Sequence, residues 1–333
     1  MKSGWLTLLL LARGMASAQA QPCKADFSTQ PGAQLTAKQQ LSLELMQAAE
    51  FDDAAAIRSL VAKGADASAR DEHCGTALML AVASPDTAAS LALLKAGADA
   101  NAQDVTGWSA LLTAADAGNA AQVQLLLKRG ARLNQTDNSN WTPLMAAVLG
   151  GDVTSVRTLL TAGANLQVAD RNGITALMFA AAEGRGPVLR LLLDKLGEAK
   201  ASALAARDRE GWTALHHAAS RGNAEAVRML LAAGAAVEAT TKFGATPLML
   251  ATQNGDLDTV RELVGKANVN QQSASGQTAL YMAAREGEAD IVKLLLEHGA
   301  NAKLARKDGK TPLDAARASK DKETIQTLQA LSK

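Results

Sequence analysis

The chain has 333 residues, of which 48% are hydrophobic and only 3% are aromatic, and its formal net charge is +1. The apolar content suffices for a folded core and excludes a generally disordered chain. The balanced charge argues against a protein that binds nucleic acid through bulk positive charge. Because so few side chains are aromatic, we expect a core of closely packed Ala and Leu rather than a large aromatic-lined pocket.

The first twenty residues have the pattern of a secretory signal peptide. Lys2 precedes an apolar run at residues 5–12, and residues 16–18 and 18–20 both fit a small-x-small cleavage site. The run is too short to span a bilayer, which needs roughly 20 residues. We therefore expect residues 1–20 to be removed and the mature protein to be periplasmic, without membrane insertion. The alternative is a cytosolic protein with an apolar amino terminus.

Two cysteines remain in the mature chain, Cys23 and Cys74. An even cysteine count in an exported protein favours a disulfide between them. Such a bond would close a loop of about 50 residues and would contribute roughly 4 kcal/mol by restricting the unfolded chain. The alternative is a pair of unrelated thiols. Neither cysteine has a second cysteine at zinc-ligand spacing, so we expect no metal site.

One short pattern recurs along most of the chain at an almost constant interval. Each copy contains Gly or a substitute, a variable residue, Thr or Ser, then Ala or Pro and Leu, and later a Leu-rich run and Gly-Ala. A fixed period in this range is the signature of a repeat architecture. Gaps of 33, 33, 33, 38, 33, 32 and 33 residues separate the Thr or Ser positions, which are Thr76, Ser109, Thr142, Thr175, Thr213, Thr246, Thr278 and Thr311.

The repeated residues predict a pair of helices in each copy. The Thr or Ser oxygen can accept an early N–H of the first helix, and Pro is tolerated just inside a helix start. Gly-Ala after the Leu-rich run is typical of a helix that ends on a left-handed Gly. Because one copy cannot bury its own apolar face, the copies must stack. The sequence therefore predicts an all-α repeat solenoid of helix-turn-helix units with β-hairpin-like turns.

This pattern resembles the ankyrin repeat over most of the chain. The segment Gly-Trp-Thr-Ala-Leu-His at residues 211–216 carries the motif, and His216 occupies the family's usual histidine position in the first helix. The other copies have Met, Leu, Tyr or Asp at that position. The resemblance implies a non-catalytic stack of repeats that binds proteins through its turn tips and its inner helix face.

We expect a single solenoid of about nine units over residues 36–333, preceded by a flexible lead-in at residues 21–35. A five-residue insertion lies within about residues 195–207, and it is either part of a working face or a tolerated surface extension. The expected parts of the solenoid are an amino-terminal cap at 36–70, seven full repeats at 71–308 and a carboxy-terminal cap at 309–333.

The sequence offers no catalytic constellation. It contains no phosphate loop, dinucleotide glycine motif, nucleophile elbow or His-Glu-x-x-His motif. The four histidines, His73, His216, His217 and His298, are interpreted as structural. We therefore expect a protein that is not an enzyme and has no cofactor. The densest basic stretch, residues 303–322, is interpreted as a solvated cap, so we expect no nucleic-acid partner.

The position just before each capping Thr or Ser is free to vary, and it holds all three tryptophans of the mature chain. We predict a partner-binding stripe there, because Trp is over-represented at interface hot spots. The alternative is a common turn variant whose ring lies along the next hairpin. The candidate residues are Trp108, Trp141, Ile174 and Trp212, with Phe243 on a neighbouring tip.

The sequence therefore predicts a monomeric, periplasmic scaffold that binds another protein without chemistry of its own. The resemblance extends to exported bacterial ankyrin proteins, some of which support peroxide resistance through a catalase. Others are immunity proteins that neutralise a toxic secreted enzyme, and this is the alternative function. Fold alone does not choose between them.

Overall fold

A computed structural model describes Asp26 and residues 35–331. The chain divides into two compact units, an amino-terminal unit that ends at Arg171 and a carboxy-terminal unit that begins at Asn172, and each is described by itself. The predicted signal peptide and Cys23 lie outside the described residues, as does most of the predicted lead-in.

The amino-terminal unit consists of helix pairs joined by turns, as the repeat pattern predicts. Its helices are α1 (Ala37–Glu50), α2 (Ala54–Ala62), α3 (Ala77–Ala81), α4 (Ala88–Lys95), α5 (Ala110–Asp116), α6 (Ala120–Lys128), α7 (Pro143–Gly150) and α8 (Val153–Thr161).

The carboxy-terminal unit repeats the same arrangement and contains the insertion. Its helices are α9 (Ala176–Ala182), α10 (Gly186–Lys195), a 3-10 turn (Gly197–Ala199), α11 (Lys200–Ala205), α12 (Ala214–Ser220), α13 (Ala224–Ala232), α14 (Pro247–Asn254), α15 (Leu257–Val264), α16 (Ala279–Glu286), α17 (Ala289–Glu297), α18 (Pro312–Ser319) and α19 (Lys322–Leu331). The helical repeat class is confirmed.

In seven of the eight repeats the Thr or Ser before the first helix caps it as predicted, and in the eighth the Thr213 hydroxyl lies 2.9 Å from Nδ1 of His216. The Thr142 hydroxyl accepts the backbone N–H of Met145 at 3.1 Å, and the Thr278 hydroxyl accepts that of Tyr281 at 3.1 Å. At the other end of the pairs that finish with Gly-Ala, the Gly is left-handed, with φ of 85° at Gly130 and 96° at Gly234. Local sequence therefore sets where each helix pair begins and ends.

Small and branched apolar residues fill the space between neighbouring pairs. The pairs Ala146-Ala147 and Ala283-Ala284 are completely buried, as are Leu126 and Leu295 on the second helices. Alanine lets the first helices of adjacent repeats approach closely, while leucine fills the layer behind them. Each unit therefore derives its core from stacking rather than from any one repeat.

Polar side chains tie one repeat to the next inside each unit. The Gln103 amide donates to the carbonyl of Thr136 at 2.8 Å, and 33 residues separate the two. The Asn119 amide donates to the carbonyls of Val82 and Ala83 at 3.1 and 2.8 Å. In the carboxy-terminal unit, the Asn223 amide makes the equivalent bonds to Ala181 and Ala182. The bonds of Asn119 and Asn223 satisfy carbonyls at the ends of the first helices.

The segment that contains the five-residue insertion forms the 3-10 turn and α11, in which Leu204 is buried and the neighbouring Ala201 and Ala205 are exposed. The insertion therefore adds a short helix anchored by one leucine. Among the described residues, the helices are all too short or too polar to cross a membrane.

We expect substitution of Gly107 by Ala to destabilise the amino-terminal unit more than the same change at Gly130. Both glycines are left-handed, with φ of 81° and 85°, which costs about 1–2 kcal/mol for alanine. A Cβ at Gly107 would also lie 2.7 Å from the backbone nitrogen of Asn138, whereas a Cβ at Gly130 meets nothing within 4 Å. This overpacking adds about 1–3 kcal/mol.

Urea unfolding of the two variants beside the unmodified chain measures this difference. Equal losses of unfolding free energy would contradict the close approach of the turn at Gly107 to the next repeat.

Candidate protein-binding surface

Backbone hydrogen bonds join the turn tips of the amino-terminal unit. The N–H of Val105 donates to the carbonyl of His73 at 3.0 Å, and the N–H of Asn138 donates to that of Thr106 at 2.9 Å. The N–H of Arg171 donates to the carbonyl of Ser139 at 2.9 Å. Each tip is therefore held at a fixed place beside the previous one.

The carboxy-terminal unit has the same ladder. The N–H of Lys242 donates to the carbonyl of Glu210 at 3.1 Å, that of Ala274 to Phe243 at 2.9 Å, and that of Lys307 to Ser275 at 3.2 Å. Aspartates close some turns from within, since the Asp208 carboxylate accepts the N–H of Trp212 at 2.8 Å. The tips form a preorganised rim, which reduces the ordering cost of binding.

The two tryptophans that the structure describes in the amino-terminal unit differ in exposure. Trp141 is buried with 6% of its surface accessible, whereas Trp108 is half-buried. A side chain as covered as Trp141 contributes mainly to packing, and Trp108 presents part of its surface to solvent.

In the carboxy-terminal unit, Ile174 and Trp212 are half-buried at the base of the tips. The Trp212 ring packs against the rings of His217 and His216, with centroids 5.2 and 6.4 Å apart. The His217 ring donates from Nε2 to the Asp208 carboxylate at 2.9 Å. The rings and the carboxylate therefore fix the orientation of Trp212.

The pKa of the Asp208 carboxyl lies below its ordinary value. Burial alone would raise this pKa, but the hydrogen bonds from His217 and from the Trp212 N–H outweigh it. The carboxylate is therefore charged at neutral pH, and it lies almost completely covered against His217.

His216 links its own repeat to the next. Its Nδ1 accepts the backbone N–H of Thr213 at 3.1 Å, and its Nε2 donates to the carbonyl of Ala245 at 3.2 Å. Both bonds suit the neutral ring. Burial lowers the pKa of His216 from 6.5 to about 4, so the ring is uncharged at neutral pH.

Phe243 is the predicted binding residue that is most open to solvent. It lies on a tip, three positions before Thr246, and 69% of its surface is exposed. Its backbone carbonyl accepts the hydrogen bond from the next tip. A large apolar side chain on a fixed backbone is a feature of interface anchors.

Cys74 occupies the turn position that holds Gly107, Gly173 and Gly211 in other repeats, and it adopts their left-handed conformation with φ of 62°. Cys74 is fully buried at this turn. The described residues include no free cysteine. Its predicted partner, Cys23, lies outside the described residues.

Sequence reasoning compared only the residue directly before each capping Thr, and so it missed a second row of side chains. The row lies four residues before the cap and holds Arg209, Lys242 and Lys307, all exposed. Alignment of the repeats on their Thr residues is the signal that reveals this row.

Within the described part of the chain, no group of three or more His, Cys, Asp or Glu residues is placed to hold a metal ion. The His217–Asp208 pair lies beside Trp212, and its contacts serve packing. The surface can therefore recognise a partner by shape, by apolar contact and by charge.

We expect Trp141→Ala to lower the unfolding free energy by about 3–5 kcal/mol, because it leaves a cavity where a large side chain was buried. Phe243→Ala should change stability by less than about 0.5 kcal/mol, since it removes an exposed group. Thermal unfolding followed by circular dichroism distinguishes the two. Similar melting temperatures for both variants would contradict the difference in burial.

The carboxy-terminal unit should lose stability as the pH falls from 6.5 towards 4. In this window the unfolded chain protonates His216 whereas the folded chain, with a pKa of about 4, does not. Protons therefore favour the unfolded state, by about 1.4 kcal/mol for each pH unit. His216→Gln should reduce the slope of unfolding free energy against pH, measured by urea titration at several pH values.

The matched control is His73→Gln, which removes an exposed histidine from a turn of the other unit. A slope that persists in His216→Gln would contradict the role of this ring.

Known proteins align with parts of the chain. Ankyrin repeat and SAM domain-containing protein 6 of Rattus norvegicus is 46% identical over 83 residues, 24% of this chain and 9% of that protein. E3 ubiquitin-protein ligase XBAT34 of Arabidopsis thaliana is 43% identical over 88 residues, 25% and 23% of the two chains. Ankyrin repeat protein YahD of Escherichia coli strain K12 is 40% identical over 107 residues, which are 30% of this chain and 53% of that protein.

Each alignment thus leaves a large part of the relative's own length unmatched. The family profile described as ankyrin repeats (3 copies) matches four overlapping stretches, residues 45–137, 123–203, 196–273 and 248–332. These stretches cover well over half of the chain and coincide with the helix pairs described above. The chain therefore belongs to the ankyrin-repeat family.

Proposed function

We propose that this protein is a periplasmic, non-catalytic scaffold that binds one partner protein through its turn tips and inner helix face. The observation that carries the proposal is Phe243, a large apolar side chain that stands 69% exposed on a tip fixed by backbone hydrogen bonds. Ankyrin repeats bind other proteins, and a preorganised rim loses little entropy when a partner docks.

The non-catalytic part of the proposal is supported by the family and by the surface chemistry. Ankyrin repeats are generally non-catalytic, and XBAT34, whose name states a ligase activity, is matched over 23% of its length. That activity is therefore not transferred to this chain.

The periplasmic location rests on the signal-like pattern of residues 1–20, and it is coupled to a Cys23–Cys74 disulfide. Three hydrogen bonds near Cys74 support this pairing. The N–H of Asp26 donates to the Arg70 carbonyl at 2.8 Å, the N–H of Arg70 donates to the Asp26 carboxylate at 2.9 Å, and the Gln39 amide donates to the Asp26 carbonyl at 2.6 Å. They hold a residue three positions after Cys23 beside one four positions before Cys74.

Two roles fit a scaffold of this type. A support protein, such as one that assists a catalase in peroxide resistance, leaves its partner active. An immunity protein covers the active site of a toxic enzyme and abolishes its activity. The effect of the purified chain on its partner's turnover separates the two.

The test is affinity capture by the chain from a periplasmic extract, followed by light scattering on the purified complex. We expect one stoichiometric partner, and we expect capture to weaken with Phe243→Asp. Phe51→Asp is the matched control, because Phe51 is 80% exposed but lies in the other unit, at the end of α1.

Cell fractionation and a thiol-labelling assay test the location and the disulfide. Residence of the chain in the cytosol with two reactive thiols would overturn both of these proposals. Capture that yields no stoichiometric partner from any cell fraction would overturn the scaffold.

A further inference from the structure

The tips of the carboxy-terminal unit carry a row of like charges. Counted from the capping Thr of each repeat, the residue four positions earlier is Arg209, Lys242, Ala274 or Lys307, and each of these is exposed. Lys310, directly before Thr311, is exposed on the last tip. These residues, without Ala274, are called the cationic rim.

Arg209, Lys242 and Lys307 occupy equivalent places on three of the four tips, and Lys310 lies on the same tip as Lys307. The backbone N–H of Arg209 donates to Asn172, that of Lys242 to Glu210 and that of Lys307 to Ser275, at 2.8, 3.1 and 3.2 Å. Stacked helical repeats are spaced by about 10 Å. The Debye length is about 8 Å at physiological salt and about 30 Å at 0.01 M, so the charges of the rim act together on a ligand mainly at low salt.

Neighbouring acidic groups cancel only part of this charge. The Asp208 carboxylate is covered and paired with His217 at 2.9 Å, and Asp308 pairs with Arg306 at 3.5 Å. Glu210 is the exposed acid that remains on these tips, and the Asp314 carboxylate at the start of α18 interacts electrostatically with Lys310. None of the four cations of the rim forms an ion pair with another described residue.

The amino-terminal unit lacks such a row. The equivalent positions there hold Glu72, Val105, Asn138 and Arg171, with one acid and one base. The cationic rim is therefore a property of this part of the sequence and not of the repeat itself.

We infer that the cationic rim binds an acidic, extended segment of the partner protein, and that an apolar side chain of this segment covers Phe243. Phe243 directly follows Lys242 and is 69% exposed. Burial of its ring supplies the apolar contact, while the rim supplies orientation and a fast, salt-dependent approach. This inference rests on the proposed scaffold function, and it names the chemistry of the partner.

A protein segment fits these residues better than a nucleic acid does. The rim has only four cations, and the chain as a whole has a net charge of only +1. Sequence-independent binding of nucleic acids depends on many phosphate contacts. A single oligonucleotide serves as the competing ligand in the test.

The rim spans three steps of about 10 Å, so an extended peptide of about ten residues can reach along it. The probe is a fluorescein-labelled peptide of this length composed of Asp, Glu and Ser with one central Leu. The comparison peptides replace Leu by Ser or the acids by Lys. Fluorescence anisotropy with the full chain measures binding at low and at physiological salt.

We expect the acidic Leu peptide to bind, its affinity to fall as salt rises, and both comparison peptides to bind more weakly. The double variant Lys242→Glu with Lys307→Glu should weaken binding about tenfold or more. The matched control is Lys293→Glu, an exposed lysine on the second-layer helix α17. Phe243→Ala should weaken binding of the Leu peptide and leave binding of the Ser peptide unchanged.

An equal loss of peptide affinity in the Lys293→Glu variant would overturn the inference. Tighter binding of a poly-dT oligonucleotide than of the acidic peptide would also overturn it. If the double variant still captures the partner, the scaffold function stands and the acidic-segment inference falls. If the peptides behave as expected while no partner is captured, the inference about the rim stands and the scaffold function falls.

Discussion

Each turn tip is tied to the previous one by a single backbone hydrogen bond, and most features of both units depend on the closeness that this bond requires. At Gly244 a Cβ would lie 2.8 Å from the nitrogen of Ala274, and at Gly276 a Cβ would lie 2.9 Å from that of Lys307. The turns therefore need glycine for space as well as for positive φ. Because the bond recurs at every step, equivalent residues on successive tips are brought into rows.

Beneath the tips, buried polar groups connect the rim to the helices. His216 accepts from Thr213 and donates to Ala245, so a neutral ring closes one helix start and reaches the next repeat. The neighbouring His217 and Asp208 support the Trp212 ring. These bonds account for a half-buried tryptophan in a fixed orientation, and they make the stability of this unit sensitive to acid.

Function on such a scaffold resides in the side chains that the rows present. The backbone bond between neighbouring tips recurs from repeat to repeat, whereas the side chains change from Val105 and Asn138 in one unit to Lys242 and Lys307 in the other. A partner therefore recognises the sum of aligned substitutions rather than a pocket. The cationic rim and Phe243 combine long-range attraction with an apolar contact on one rigid surface.

The sequence by itself determined the repeat register, the capping Thr residues and the left-handed Gly ends, because these features depend on residues within about five positions of one another. It did not reveal that Trp141 is covered while Trp108 is half-exposed, nor that Cys74 lies buried at a turn. The burial of a tip side chain depends on what packs over it, and those groups lie about one repeat away in sequence. Only the tertiary structure brings those groups together, and so it alone decided which side chains of the turn tips face solvent.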